Sequence, residues 1–421
     1  MNMKQNSSLS SPLKRITVLD ALRGFALLGV ILMHMIQHFG IFSMSSQQET
    51  LQFPALDEAI QWIGNNIIMG RFINIFAFLF GLSFFIQMDR AAKKGIDFRK
   101  RFVWRMILLL GMGLLSHSFY SVEIISIYGF FGLLMIPLYR VKKWILLALV
   151  GFLLLGGPRA IQVINHNSNV GTEQTDSEES VNNRPPDREL PEHITNPSFF
   201  NSAKHNYEER LGGKLNYQFG LIGRGYVTFA LFVLGLVLGR IRFFENIHRQ
   251  KRQNLFLFIG FVVATLLVTL IQNVMPAQNI RALFGPGDET ISASLLMAKA
   301  LDDIGMVLFT GSLTMGFILL YQTRHFGKHL DVLAPYGRTA LTNYIMQGFI
   351  GSILFSPWAF GSSFGSWGVS ALFFLGIVIY ALQGIISKLW LEYYLYGPLE
   401  WLWRSGTYLS FQPFKKKSPK E

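Results

Sequence analysis

Four ionisable side chains, Asp20, Arg23, His34 and His38, sit in LDALRGFALLGVILMHMIQHFG (residues 19–40), a run otherwise apolar enough to cross a bilayer. An α-helix turns about 100° per residue, so the step from Arg23 to His34 returns to within about 20° of one face, roughly 16 Å further along. Asp20 and His38 fall within the same arc of about 60°. Lipid offers such a polar stripe no partners, so it is expected to face the bundle interior or a water-filled cavity. A neutral imidazole can take a proton from an attacking hydroxyl or amine, or carry an acyl group itself. A guanidinium on the same face can hold phosphate or pyrophosphate through its planar fork, with Asp20 orienting it. The plainer reading stands beside this one. Asp20 and Arg23 then form an interfacial ion pair, His34 bonds between helices, and His38 lies at the interface.

Further polar positions recur at helical spacing. His117 and Glu123, in LLSHSFYSVEII, fall between two apolar runs, where a carboxylate would fix the imidazole's tautomer and raise its basicity. They either complete a site with His34 or satisfy a buried hairpin. Arg71 and Asn74 point the same way, and Arg71 can neutralise an oxyanion or an acidic acceptor, or snorkel to the interface. Thr339, Asn343 and Gln347 repeat every fourth residue, which suits hydrogen bonding between helices or the lining of a substrate cavity. Arg224 could meet an acidic acceptor. Gly235 and Gly239 form a small-xxx-small pattern for close helix packing. His166, His193 and His205 lack zinc-ligand spacing, so no metal is expected.

Positioning these groups falls to helices. The chain has 421 residues, 51% hydrophobic and 14% aromatic with only 15% charged, and several apolar runs approach the roughly 20 residues that cross a bilayer. The fold expected is all-α and polytopic, with ten spans near 17–40, 66–88, 103–121, 123–139, 144–159, 219–239, 254–275, 304–321, 339–356 and 367–387. The first is read as a retained helix rather than a signal peptide, because Asp and Arg open it and no small-residue cleavage site follows. Cysteine is absent, which excludes disulfides, thiolate-bound metal and thiol nucleophiles. The net charge of +13 is concentrated in short loops and tails beside apolar runs, so it reads as a topology signal and not as a nucleic-acid surface. Most Lys and Arg then face the cytoplasm, together with both termini.

Four regions follow: a five-helix half (1–159), a hydrophilic extracytoplasmic segment (160–218), a second five-helix half (219–405) and a basic tail (406–421) suited to anionic lipid. The centre of the hydrophilic segment is expected to be mobile, and its NPSFFNSAKHNYEERLGGKLNY stretch to pack on the outer face. The second half of PAQNIRALFGPGDETISASLLMAKALDD is expected to lie along the interface.

Several stretches carry a resemblance: LDALRGFALLGV, RFINIFAFLFGLSFF, RFVWRMILLLGMGLLSHSFYSVEIISIYGFFGLLMIPLYR, GRTALTNYIMQG and YGPLEWLWRSGTY. Through them most of the chain resembles the YeiB-like bacterial membrane proteins, the domain-of-unknown-function 418 family. Arg23 and His34, with ten residues between, also match the Arg/Lys-X10-His pattern of acyltransferase-3-type membrane enzymes. YeiB-like proteins often carry Asn where this chain has His34, so that match is a departure from the family. The resemblance implies a bacterial plasma-membrane protein that moves an acyl group from a cytoplasmic acyl-CoA donor, acetyl-CoA foremost, to an extracytoplasmic hydroxyl or amine acceptor such as an envelope glycan or small molecule. It implies no tightly bound cofactor, and a homo-oligomer is compatible with it. Catalysis would then fall to His34 with His117 and Glu123, donor binding to Asp20 and Arg23, and acceptor binding to Arg71, Asn74, Thr339, Asn343 and Gln347. The alternatives are a transporter or channel for a small polar or anionic solute, with the same charges as its binding site or proton relay, and a non-catalytic factor in envelope assembly.

Overall fold

A computed structural model describes residues 17–41, 53–173, 191–245, 247, 250–284 and 290–416. The first half runs α1 (Thr17–Ile36), α2 (Pro54–Ile63), α3 (Arg71–Ala92), α4 (Arg99–His117), α5 (Ile125–Leu138) and α6 (Lys143–Leu154). A polar stretch follows as α7 (Gly157–Glu173), α8 (Glu192–Thr195), α9 (Phe199–His205) and α10 (Leu211–Phe219). The second half holds α11 (Arg224–Arg240), α12 (Lys251–Val274), α13 (Ala293–Tyr321), α14 (Arg324–Leu330), α15 (Ala334–Arg338), α16 (Ala340–Phe355), α17 (Gly361–Phe364), α18 (Val369–Tyr393) and α19 (Pro398–Tyr408). Among the described residues there is no β-strand, only an isolated bridge between Tyr394 and Lys415.

The described residues are all helical, and several of the helices are long and apolar enough to suggest a membrane protein. By length and composition five helical stretches can cross a bilayer alone: α1, Pro54–Ala92, α12, α13 and α18. Two bent pairs raise the number to seven, α6 with the start of α7 at 45° and Phe199–Phe219 with α11 at 56°. α5 and α16 are apolar but shorter. Each of the ten expected spans falls on a helix. The outer faces of α12 and α18 are tiled with exposed Leu, Ile, Val and Phe, a surface that hydrocarbon tolerates and water does not. The centre of the hydrophilic segment, 174–190, and the end of the basic tail lie outside the described residues.

Several expected boundaries move. The first span ends at Ile36, and His38, Phe39 and Gly40 follow with positive φ, so His38 leaves the helical stripe it was expected to share. Non-glycine side chains in that conformation crowd the following carbonyl, and the packing of Phe39 holds the turn in place. The second span starts at Arg71, because a π-turn (Gly64–Ile68) and left-handed Gly70 separate it from α2. Left-handed Gly156 breaks the fifth span, leaving Arg159 on α7. The stretch expected along the interface instead continues directly into α13.

α1 is the central post. Ala21, Leu22, Ala26, Leu27 and Met35 are fully enclosed by α3, α15, α16 and α18. Close approach depends on glycine. A Cβ on Gly24 would strike the Leu333 carbonyl, and one on Gly337 the Asp20 carbonyl. α3 and α11 cross in the same way, Gly81 against the Phe232 carbonyl and Gly235 against Phe78 and Leu82, as the small-residue pattern anticipates. A methyl-bearing side chain at such a crossing forces the backbones apart, at about 1–3 kcal/mol or more. Gly235→Val should therefore lower the thermal midpoint in detergent and the folded yield. Gly260→Val, on α12 where nothing lies within 4 Å, should leave both near wild type. Equal midpoints for the two variants would contradict the crossing.

Candidate functional site

Two cavities enter the bundle from opposite ends. The larger, about 1140 Å³, is lined by His34 and His38 from the end of α1, Glu123 from the α4–α5 hairpin, and the polar residues Arg210, Lys214, Arg224, Lys299, Asp302 and Asp303. His34 stacks on Phe39, ring centroids 5.0 Å apart and 18° from parallel, with Tyr120 edge-on at 6.0 Å. The left-handed turn after Ile36 is what brings Phe39 back over the imidazole. Among the described residues no group hydrogen-bonds to the His34 ring, so its nitrogens are left to whatever occupies the cavity.

Around this cavity most of the charges are tied down in pairs. Glu123 is completely buried and accepts from Lys214, the Ser126 hydroxyl and the Ser126 amide, the last at 3.0 Å. Lys214 also reaches Ser126 Oγ at 3.1 Å and His117 Nδ1 at 3.4 Å. The His117 Nε2–H faces the Asn206 carbonyl at 3.0 Å, while the Asn206 amide donates back to the His117 and Ser118 carbonyls. The pair expected to act together is thus divided: Glu123 faces the cavity, whereas His117 is sealed in a lock between the hairpin and the polar segment. On the opposite wall Lys299 bridges Asp302 (2.9 Å) and Asp303 (2.7 Å), and fully buried Arg159 pairs with Asp303 while donating to the Ile222 and Gly223 carbonyls.

The smaller cavity, about 280 Å³, opens around Arg23 and is mostly apolar. Arg23 donates to Asp20 and to Ser83 Oγ, both at 2.7 Å, so Asp20 holds the guanidinium as expected. Arg105 and Arg338 share the lining. Arg105 lies 3.6 Å over the Trp403 ring, and the Trp403 indole donates to the Arg105 carbonyl at 2.8 Å. Glu400 caps α16, accepting from the Leu341 and Thr342 amides at 2.7 and 3.1 Å and from the Thr342 hydroxyl at 2.6 Å. A carboxylate at a helix N-terminus satisfies amides that have no partner within the helix. GPLEWLWR therefore builds one wall of this cavity, a role its composition did not reveal.

Ile124 and Tyr128 line both cavities and form the wall between them. Tyr344 braces that wall, its hydroxyl accepting from the Ile124 amide at 3.1 Å. Arg23 and His34 are thus not in one continuous hollow.

The remaining candidates lie elsewhere. Arg71 donates to the Asn65 and Met69 carbonyls at 2.9 and 2.8 Å, tying down the π-turn. Asn74 is fully buried between Arg224 and Thr310, so it reaches the larger cavity only through Arg224. Thr339 and Asn343 bond to Ser387 at 3.0 and 2.9 Å, and Gln347 donates to the Tyr336 hydroxyl at 2.7 Å. That stripe joins α16 to α15 and α18 and lines neither of these two cavities. Lys214, Arg159, Lys299 and Asp303 join the site through contacts that their local sequence does not announce, the Lys299–Asp303 pair apart. The spacing of Lys299, Asp302 and Asp303 was the available signal, because on a helix it places all three side chains together.

Removing one member of a buried ion pair strands the other, at about 3–5 kcal/mol. Lys214→Met and Glu123→Leu should each lower the thermal midpoint strongly, and the double variant should recover most of the loss. Additive losses would show that the two do not interact. On the polar segment His193 and His205 stack with centroids 3.8 Å apart. Burial, then His205 and Arg210, push His193 down to about 4, with Glu209 opposing. The folded segment therefore resists a proton that the unfolded chain accepts near 6.5. Stability present above pH 6.5 should fall as pH drops toward 4, read as loss of amide protection across 192–210, and His193→Gln should blunt that loss.

Residues 238–410 match the family described as "Protein of unknown function (DUF418)". The chain is 27% identical to the uncharacterized 39.9 kDa protein in the amylase 3′ region of Bacillus acidopullulyticus, over 94% of both chains. It is 26% identical to the uncharacterized protein YxaH of Bacillus subtilis (strain 168), over 96% of this chain and 97% of that one. With the uncharacterized protein YeiB of Escherichia coli (strain K12) it shares 26% identity over 96% of this chain and all of that one. Relatives aligned from end to end, together with a domain match that contains the GPLEWLWR wall, make this chain similar to the YeiB-like proteins and, over residues 238–410, to the DUF418 family.

Proposed function

We propose that this protein is a membrane-embedded acyltransferase, moving an acyl group from a cytoplasmic acyl-CoA-type thioester to a hydroxyl or amine acceptor on the other side of a bacterial plasma membrane. The observation that carries the reading is the shared wall: an arginine-lined cavity from one end and the His34 cavity from the other meet at Ile124 and Tyr128. The basic loops orient the Arg23 end toward the cytoplasm in a ten-span topology with both termini inside. A cavity of about 280 Å³ is below the roughly 300–1,000 Å³ that enclose a drug-sized ligand. It suits a thioester arm with a short acyl group, leaving the nucleotide at the mouth near Arg105 and Arg338, with Arg23 further in.

In this scheme a rotation of Tyr128 joins the cavities. His34 takes the proton from the acceptor hydroxyl as its oxygen bonds to the thioester carbonyl carbon. The C–S bond then breaks, and the departing thiolate receives the proton from His34. General base catalysis contributes about 10²–10⁴-fold. Purified protein in nanodiscs, given radiolabelled acetyl-CoA and a panel of envelope glycans, should transfer label. His34→Ala should reduce transfer at least 100-fold with its thermal midpoint unchanged, and undiminished transfer would remove His34 from the mechanism.

The same wall favours a second reading, a solute transporter caught closed with Ile124 and Tyr128 as its gate. Tyr128→Ala should then raise solute flux into proteoliposomes without any acyl donor. Acyl transfer requires the donor and predicts no such flux.

A further inference from the structure

The His34 cavity carries four cationic side chains, Arg210, Lys214, Arg224 and Lys299, against three carboxylates, Glu123, Asp302 and Asp303. Pairing removes most of them. Lys214 is bound to Glu123, and Lys299 to Asp302 and Asp303, the latter shared with buried Arg159. Arg210 and Arg224 remain, and each is held by neutral atoms. Arg224 donates to the Gly70 carbonyl at 2.9 Å and to the Asn74 side-chain oxygen, and it touches Met306 Sδ at 3.2 Å. Arg210 donates to the Gly40 carbonyl at 2.6 Å and to His205 Nε2 at 3.3 Å. The carboxylate nearest Arg210 in sequence, Glu209, is mostly exposed and pairs with His205. Arg71 adds positive potential beside Arg224, and Asp302 offsets it.

Two guanidiniums fixed by neutral atoms, with only the mostly exposed Glu209 acting on Arg210 among nearby carboxylates, leave the cavity with a surplus of up to two positive charges. A charge so placed is costly unless a counter-charge enters. The fixation also matters: each guanidinium is pre-oriented, and its remaining N–H groups can donate charge-assisted hydrogen bonds to phosphate oxygens. A phosphate monoester carries close to two negative charges near neutral pH, matching the surplus.

We infer that the His34 cavity binds a phosphate-bearing ligand through Arg210 and Arg224. This deepens the acyltransferase reading by assigning a phosphate to the acceptor, whose free hydroxyl would lie at His34. It does not require the reaction to be acyl transfer. The phosphate belongs either to a lipid headgroup or to a soluble phosphate ester.

Binding can be tested without an acyl donor on the full chain in nanodiscs. Glycerol 3-phosphate and glycerol serve as soluble probes by calorimetry. Phosphatidic acid and phosphatidylcholine serve as lipid probes, compared by native mass spectrometry. At least one phosphate probe should bind at least tenfold more tightly than its uncharged or zwitterionic counterpart. Arg224→Gln and Arg210→Gln should each weaken it at least tenfold, and Arg224→Lys should weaken it less than the Gln variant. Preference for phosphatidic acid alone assigns the headgroup, and preference for glycerol 3-phosphate alone assigns the soluble ester. Absence of either preference, or Gln variants that melt like wild type and bind undiminished, would overturn the inference. His34→Ala should bind the phosphate probe as wild type does, so loss of transfer with binding intact fails only the catalytic reading, and the reverse fails only this one.

Discussion

A polar group inside a bundle that hydrocarbon surrounds must find its partner within the protein, since neither lipid nor bulk water will supply one. Much of this structure follows from that constraint. Glu123 is wrapped by Lys214 and Ser126, Arg159 by Asp303 and two carbonyls, and Glu400 by the first amides of α16. Apart from the local Glu123–Ser126 bonds, these contacts join segments distant in sequence. The polar stretch between the two halves is stitched to the α4–α5 hairpin through Lys214 and Asn206, which makes it part of the cavity wall. Residues that look like loop in the sequence therefore help define the site.

Close backbone approach is the second requirement, and it serves the first. α1 can lie at the centre because Gly24 and Gly337 let it touch the α14–α15 region. Asp20 and Arg23 are thereby brought against the bundle, where Ser83 also accepts from the guanidinium. The crossing of α3 and α11 at Gly81 and Gly235 sets Asn74 beside Arg224 in the same way. Packing by small residues and placement of charge are thus one design problem, solved by the same helix crossings.

The wall of Ile124 and Tyr128 gives the molecule its functional asymmetry. One side is small, mostly apolar and arginine-lined, and the other is large, polar and holds His34. Ile124 and Tyr128 thus separate two cavities of different size and polarity. Tyr344 and the Glu123 cluster brace the elements around that wall through the Ile124 and Ser126 amides.

Helical class and the presence of several helices apolar enough to cross a bilayer were legible from composition and period alone, because burial in hydrocarbon demands long apolar runs with internally satisfied backbones. The Asp20–Arg23 pair was also legible, since residues three apart on a helix must meet. The fate of His34 and His38 was not: periodicity extends a helix past Ile36, but the left-handed turn there depends on Phe39 packing into the core. Nor could spacing tell that Thr339, Asn343 and Gln347 would meet α15 and α18 instead of either of the two cavities, because a polar stripe fixes a face and leaves its neighbour open. Lys214, Arg159 and Arg224 gained their meaning only from partners tens to hundreds of residues away. Local sequence determined which groups had to be hidden, and the tertiary structure decided which were paired off and which were left facing open space.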